Sequence, residues 1–124
     1  MATLAANRRA TFDYEVLERF TAGIVLTGPE ARSAKLGRID LAGAHAIIRG
    51  TNAFLVGATI HPFQSANAPV GYDPTRSRKL LLTSKELSYL ARKTQTGLTL
   101  IPLRAYTHHG LVKVELGLGK TLKK

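Results

Sequence analysis

Apolar residues along this chain fall mostly into short alternating runs. Between Tyr14 and Leu26, Tyr14, Val16 and Phe20 occupy even positions, the period-2 pattern of a half-buried strand. Ala22-Gly23 marks a bend or bulge there, because glycine inside a strand pattern often does. The pattern then changes. Thr27 and Glu30 have capping-box spacing, in which the hydroxyl accepts from a backbone amide at the helix start and the carboxylate reaches back to the threonine amide. Pro29 suits a first helical turn, where its missing N–H costs nothing. A short helix is predicted from about Pro29 to Leu36, stopped by Gly37.

Ile39 to Arg49 and Ala53 to His61 are rich in β-branched and apolar residues, and Gly50-Thr51-Asn52 between them reads as a hairpin turn. A long polar stretch from Pro62 to Lys79 follows, with Pro69, Gly71 and Asp73-Pro74 within it; such a loop in a small domain is usually functional or disordered. Thr83 and Glu86 repeat the capping-box spacing. Leu87, Leu90 and Ala91 fall at i, i+3 and i+4, so an amphipathic helix is predicted from Ser84 to about Gln95, ending at Gly97. Strands from Leu98 to Tyr106 and Leu111 to Leu118, joined by His108-His109-Gly110, complete the chain. The sum is mainly β: about six antiparallel strands, which hide their edges by closing into an oligonucleotide-binding-like barrel, with two to three short flanking helices. A split α+β sheet is the competing architecture.

Composition narrows the function. The 124 residues make one small domain, and the 44% hydrophobic content fills one core. No run of about 18 apolar residues is present to span a membrane. The first ten residues carry Arg8 and Arg9 in place of a signal peptide's apolar stretch, so residues 1–12 are expected to be an N-terminal arm ahead of a barrel at 13–119. Cysteine is absent, which removes disulfides and thiolate zinc sites and fits a cytoplasmic protein. The formal net charge is +10, and from Pro74 to Lys124 there are 11 basic residues against 2 acidic ones. Such an excess strains a small fold by self-repulsion, so a polyanionic partner is expected. No strongly basic amphipathic helix points to a membrane surface instead.

Few motifs carry other chemistry. Gly117-Leu118-Gly119-Lys120-Thr121 lacks the glycine that a phosphate-binding loop needs at position 114, which is Val114, and no following helix is expected to present its amides. His45, His61, His108 and His109 have no metal-ligand spacing. The eight acids are scattered and no nucleophile elbow exists. No metal, cofactor or enzymatic activity is expected. The densest basic cluster, Arg76-Ser77-Arg78-Lys79, repels itself unless an anion sits among its cations, which points to phosphate contact. Asn7-Arg8-Arg9 is a second basic site with Phe12 and Tyr14 nearby, an arrangement suited to unpaired bases stacked on rings while cations hold the backbone.

These residues resemble one family. Asn7-Arg8-Arg9-Ala10 with Asp13-Tyr14, then Ala22-Gly23-Ile24-Val25-Leu26-Thr27-Gly28 with Glu30, are similar to the opening of SsrA-binding proteins (small protein B). The most specific segment is Asp73-Pro74-Thr75-Arg76-Ser77-Arg78-Lys79-Leu80-Leu81-Leu82, followed by Glu86. Gly97-Leu98-Thr99-Leu100-Ile101-Pro102-Leu103 and Val112-Lys113-Val114 complete a series that runs in order from about Asn7 to Lys120.

The resemblance implies a non-enzymatic adaptor on an oligonucleotide-binding-type barrel. It would bind the tRNA-like domain of transfer-messenger RNA, as a monomer in a 1:1 complex, and deliver it to stalled ribosomes for trans-translation. RNA contact is carried over to Asn7, Arg8, Arg9, Tyr14 and the segment around Leu81, with Arg32, Lys35 and Arg38 as further cations. With the basic cluster, the departures at Thr21 and His45, and Lys120, the expected RNA-binding set is Asn7, Arg8, Arg9, Tyr14, Thr21, Arg32, Lys35, Arg38, His45, Arg76, Arg78, Lys79, Leu81 and Lys120. The family usually has Glu where this chain has Thr21, and Tyr where it has His45. It also carries a long basic tail, of which residues 120–124 correspond to the start, the remainder being absent here. The alternative function is a general structured-RNA-binding or ribosomal module without selectivity.

Overall fold

The computed structural model describes residues 2–62 and 70–122. The part of the polar loop at 63–69, including Pro69, and the tail residues Lys123 and Lys124 lie outside the described residues. In chain order the elements are β1 (Ala2–Ala6), α1 (Ala10–Asp13), β2 (Tyr14–Ile24), α2 (Gly28–Lys35), β3 (Ile39–Asp40), β4 (His45–Arg49), β5 (Asn52–Val56), β6 (Thr59–Ile60), β7 (Arg78–Leu81), α3 (Ser84–Gln95), β8 (Thr99–His108) and β9 (Leu111–Thr121).

Both longer helices begin where their side chains dictate. At Thr27 and at Thr83 the hydroxyl accepts from the backbone of the residue three further on, and Glu30 and Glu86 return the bond to the threonine amide. The last hairpin turns through His109 and Gly110, at φ 50° and 77°, the paired left-handed conformation that matches strand twist in a two-residue loop.

Seven strands pair in the order β1-β8-β4-β5-β7-β2-β9, and β8 also pairs with β9. That last pairing closes a ring of six strands, and β1 adds to the outside of β8's C-terminal half, with Ala2 opposite Thr107 and Ala6 opposite Arg104. All the pairings are antiparallel. The weakest seam is β4 to β8, with Ala46 opposite Leu100 as its one registered pair. The interior takes every second residue of β9, Val112, Val114, Leu116 and Leu118, together with Ala53, Leu55, Leu80 and Leu100, and Leu90 of α3 joins the same core.

Four expectations are refined. Within the expected N-terminal arm, Ala2–Ala6 form a strand, β1, on β8. The expected strand from 39 to 49 is two strands separated at 41–44, and the one from 53 to 61 breaks at Gly57-Ala58. β9 continues to Thr121, with Lys120 opposite Glu15, so residues 120 and 121 belong to the sheet and not to a tail. Residues 78–81 form a strand between β5 and β2, which sets their side chains alternately in and out.

Candidate nucleic-acid interface

That alternation decides the fate of the basic cluster. Arg78 and Leu80 face inward while Lys79 and Leu81 face outward. Arg78 is fully buried. Its Nε and a terminal nitrogen donate to Glu30 Oε2 at 3.0 and 2.9 Å, and its other donors reach the carbonyls of Ala58, Arg76 and Pro74 at 3.0–3.1 Å. Arg76 also binds Glu30, with Nε donating at 3.1 Å. Tyr72 donates to the Ile60 carbonyl at 2.8 Å.

A guanidinium satisfied on every side and sealed from solvent cannot meet a phosphate. The expectation for Arg78 is therefore corrected: it clasps the loop onto α2. Arg76 is bonded to the same carboxylate, which offsets part of the self-repulsion that pointed to an anion from outside. Burial alone raises the Glu30 carboxyl, but hydrogen bonds from Arg76, the Thr27 amide and Arg78 outweigh it and hold the group down at about 2. Asp73 is lowered by bonds from the Thr75 amide and hydroxyl, which fold the turn leading into the clasp.

The remaining expected residues gather at two places. Asn7, Arg9, Tyr14 and His45 line one cleft of about 200 Å³, together with Asp13, Ala44, Thr99 and Ile101. Asn7 is fixed by two bonds to β8: its backbone amide to the Leu103 carbonyl at 2.8 Å, and its carboxamide nitrogen to the Pro102 carbonyl at 3.0 Å. Pro102 is tolerated inside β8 because the pairing with β9 shifts register between Pro102 and Arg104. Arg9 lies across one turn from Asp13 at 3.6 Å and keeps its side chain 71% exposed. A ring, an amide and a cation around one opening can stack a base and hold its backbone.

Leu81 and Lys35 line the second cleft, about 410 Å³, with Gly23, Leu111 and Lys113. Leu81 and Leu111 are 52% and 61% exposed, an apolar surface rimmed by two lysines. Tyr14 and Gly23 mark opposite ends of β2, so the clefts are roughly 30 Å apart at the rise of an extended strand.

Arg8, Thr21, Arg32, Arg38, Lys79 and Lys120 are exposed and line neither cleft. Lys79 shares the outer face of β7 with Leu81. Thr21, where the resembled family usually has Glu, lies directly opposite Glu115 of β9, so this face holds a carboxylate after all. Sequence reasoning did not find Lys113, Leu111, Arg19, Arg104 or Glu115, since only strand register brings them to these surfaces.

Fold and surface together define a small, strongly basic, mainly β protein whose sheet closes in a ring of six strands. The SmpB protein family model matches residues 4–124, and the chain belongs to that family. It is 46% identical to an SsrA-binding protein of Cupriavidus pinatubonensis over 122 residues, which is 98% of this chain and 81% of that one. An SsrA-binding protein of Thermosynechococcus vestitus is 44% identical over 121 residues, covering 97% and 80%. A chain from the solved structure "tmRNA-SmpB: a journey to the center of the bacterial ribosome" superposes with a TM-score of 0.75 at 42% identity, covering 93% of this chain and 81% of that one. No helix among the described residues is long and apolar enough to cross a membrane.

Proposed function

We propose that this protein is an RNA-binding adaptor that holds the tRNA-like domain of transfer-messenger RNA and brings it to stalled ribosomes for trans-translation. The observation that carries the reading is the convergence of Asn7, Arg9, Tyr14 and His45 on one cleft, in a family whose members are called SsrA-binding proteins. Its part is to position RNA without catalysing a reaction, as one copy per RNA, in the cytoplasm where ribosomes work. Tyr14 supplies a stacking face, Arg9 a backbone contact and Asn7 a fixed carboxamide at the wall. The second cleft supplies apolar contact at Leu81 and phosphate contacts at Lys35 and Lys113. Arg8, Arg32, Arg38, Lys79 and Lys120 add exposed charge for the sequence-independent part of the affinity.

A competition assay tests this. Labelled transfer-messenger RNA is displaced at fixed salt by itself, by a tRNA and by an unrelated RNA duplex. A strong preference for the first supports the adaptor, and equal competition by all three supports a general RNA-binding module.

A further inference from the structure

We propose that Glu115 is a specificity-determining RNA contact: a carboxylate acceptor for a hydrogen-bond donor of the bound RNA, either a ribose hydroxyl or a base amino or imino group. The inference rests on the RNA-binding reading above and assigns a role that neither cleft supplies.

Glu115 stands on the outer face of the sheet formed by β2, β9 and β8, in the rung Thr21–Glu115–Arg104. Val114 and Leu116 on either side turn into the core, so strand alternation sends Glu115 outward. Two residues along its strand, Lys113 lines the larger cleft, and two residues along from Thr21, Gly23 does the same. The carboxylate therefore sits about 7 Å further along the face from that cleft, by strand rise.

Two arginines hold it. Arg19 reaches Oε1 at 3.1 Å and Arg104 reaches the same oxygen at 3.6 Å. Arg104 is itself braced, with its guanidinium 4.3 Å from the centre of the Tyr106 ring and a terminal nitrogen 3.3 Å from the Thr3 hydroxyl. Oε2 accepts no hydrogen bond from the described residues, and the side chain stays 22% exposed. A carboxylate in this state is a pre-oriented acceptor that pays little ordering entropy on binding.

Its chemistry separates it from the cations around it. A phosphate is repelled by Glu115 and attracted by Arg19 and Arg104. Phosphate contacts position RNA without reading it, whereas hydroxyl and base-edge donors carry the selective part of recognition. A bond to an ionised acceptor is about twice as strong as a neutral one. An acid on a basic face also weakens binding to nucleic acid that offers no donor there, which adds selectivity by repulsion.

The sign of one substitution decides the matter. If Glu115 only neutralises Arg19 and Arg104, Glu115→Ala frees two cations and tightens binding to every RNA. If it is an acceptor, Glu115→Ala weakens binding to the tRNA-like domain about tenfold, the scale of a charged hydrogen bond, and leaves an unrelated duplex unchanged or bound more tightly. Both titrations are run on the full chain at one salt concentration, with thermal melting to show that the variant is folded. Should Glu115→Ala not fold, Glu115→Gln keeps the shape and is read by the same ratio. Thr21→Glu in the Glu115→Ala background returns a carboxylate one strand over, and should regain part of the lost preference.

Chemical probing of the complexes locates the donor. A nucleotide that regains 2′-hydroxyl acylation in the variant assigns the ribose, and one that regains base methylation assigns the base edge. Equal or tighter binding of Glu115→Ala to both RNAs, or no nucleotide changed, overturns the proposal while leaving the adaptor function standing. A parent protein with no preference for the tRNA-like domain overturns both.

Discussion

Arg78 donates from Nε and from a terminal nitrogen to one carboxylate oxygen of Glu30, at 3.0 and 2.9 Å, and neither side chain is open to solvent. Removing one member of such a buried pair strands the other charge, at a cost of about 3–5 kcal/mol. Arg78→Ala should therefore lower stability by that order in urea titrations. At a temperature where the variant is still folded, its RNA affinity should match the parent, because Arg78 is sealed away from any ligand.

The same clasp sets an acid limit. The Glu30 carboxyl lies at about 2 in the folded protein against an ordinary 4.5. A depressed carboxyl contributes stability that is complete above the unfolded value and is lost as pH falls through the folded one. The contribution should thus be whole above about pH 5 and vanish between there and about pH 2, with a size on the order of 3 kcal/mol. Melting temperatures of the parent and Glu30→Gln across this window check it: the gap between them should close as the solution is acidified.

How much of this was legible in the sequence follows from what each signal depends on. The two helices were readable because their caps are local: Thr27 with Glu30 and Thr83 with Glu86 need only three residues of chain. The long strands β8 and β9 were readable as two apolar segments joined by the turn at His108-His109-Gly110. β1 was not, since Ala2–Ala6 has little pattern of its own and becomes a strand by pairing with β8. Arg76-Ser77-Arg78 looked like a phosphate site because the partner that both arginines bind, Glu30, is 48 residues away from Arg78. The capping-box role of Glu30 was visible, and its second role was not. Of the expected RNA-binding residues, Asn7, Arg9, Tyr14 and His45 were separate positions until the fold brought them to one cleft. The opposition of Thr21 and Glu115 depends on register, which a single sequence does not display.

Gly119 packs closely against Tyr14, which lines the cleft. A Cβ there would stand 3.0 Å from the Glu15 carbonyl oxygen and 3.4 Å from Tyr14 Cβ, too close for a backbone held in the β2–β9 ladder. Gly119→Ala should cost roughly 1–3 kcal/mol, as overpacking does, and should displace Tyr14. Urea titration together with RNA titration checks both effects. Gly50→Ala serves as the control, since a methyl there meets no atom within 4 Å; it strains the turn between β4 and β5 and lines neither cleft.

Binding should fall steeply with salt. With a net charge of +10 and about six phosphates neutralised, affinity should drop on the order of 10³-fold between 50 and 200 mM salt. Fluorescence titrations at four or five salt concentrations give the slope. Lys35→Ala and Lys113→Ala should each reduce that slope by about 1, while Arg78→Ala should leave it unchanged.

The most direct test of the account concerns the proposed stacking contact at the cleft of Asn7, Arg9, Tyr14 and His45. The ratio of affinities for transfer-messenger RNA and an unrelated duplex is measured at one salt concentration for the parent and for Tyr14→Ala. Loss of a stacking ring costs about 1–3 kcal/mol per base, so the variant should lose roughly 5- to 150-fold for transfer-messenger RNA and little for the duplex, whose bases are already paired and stacked, lowering the ratio by that factor. A Tyr14→Ala protein that melts like the parent and keeps the parent's ratio would contradict the account.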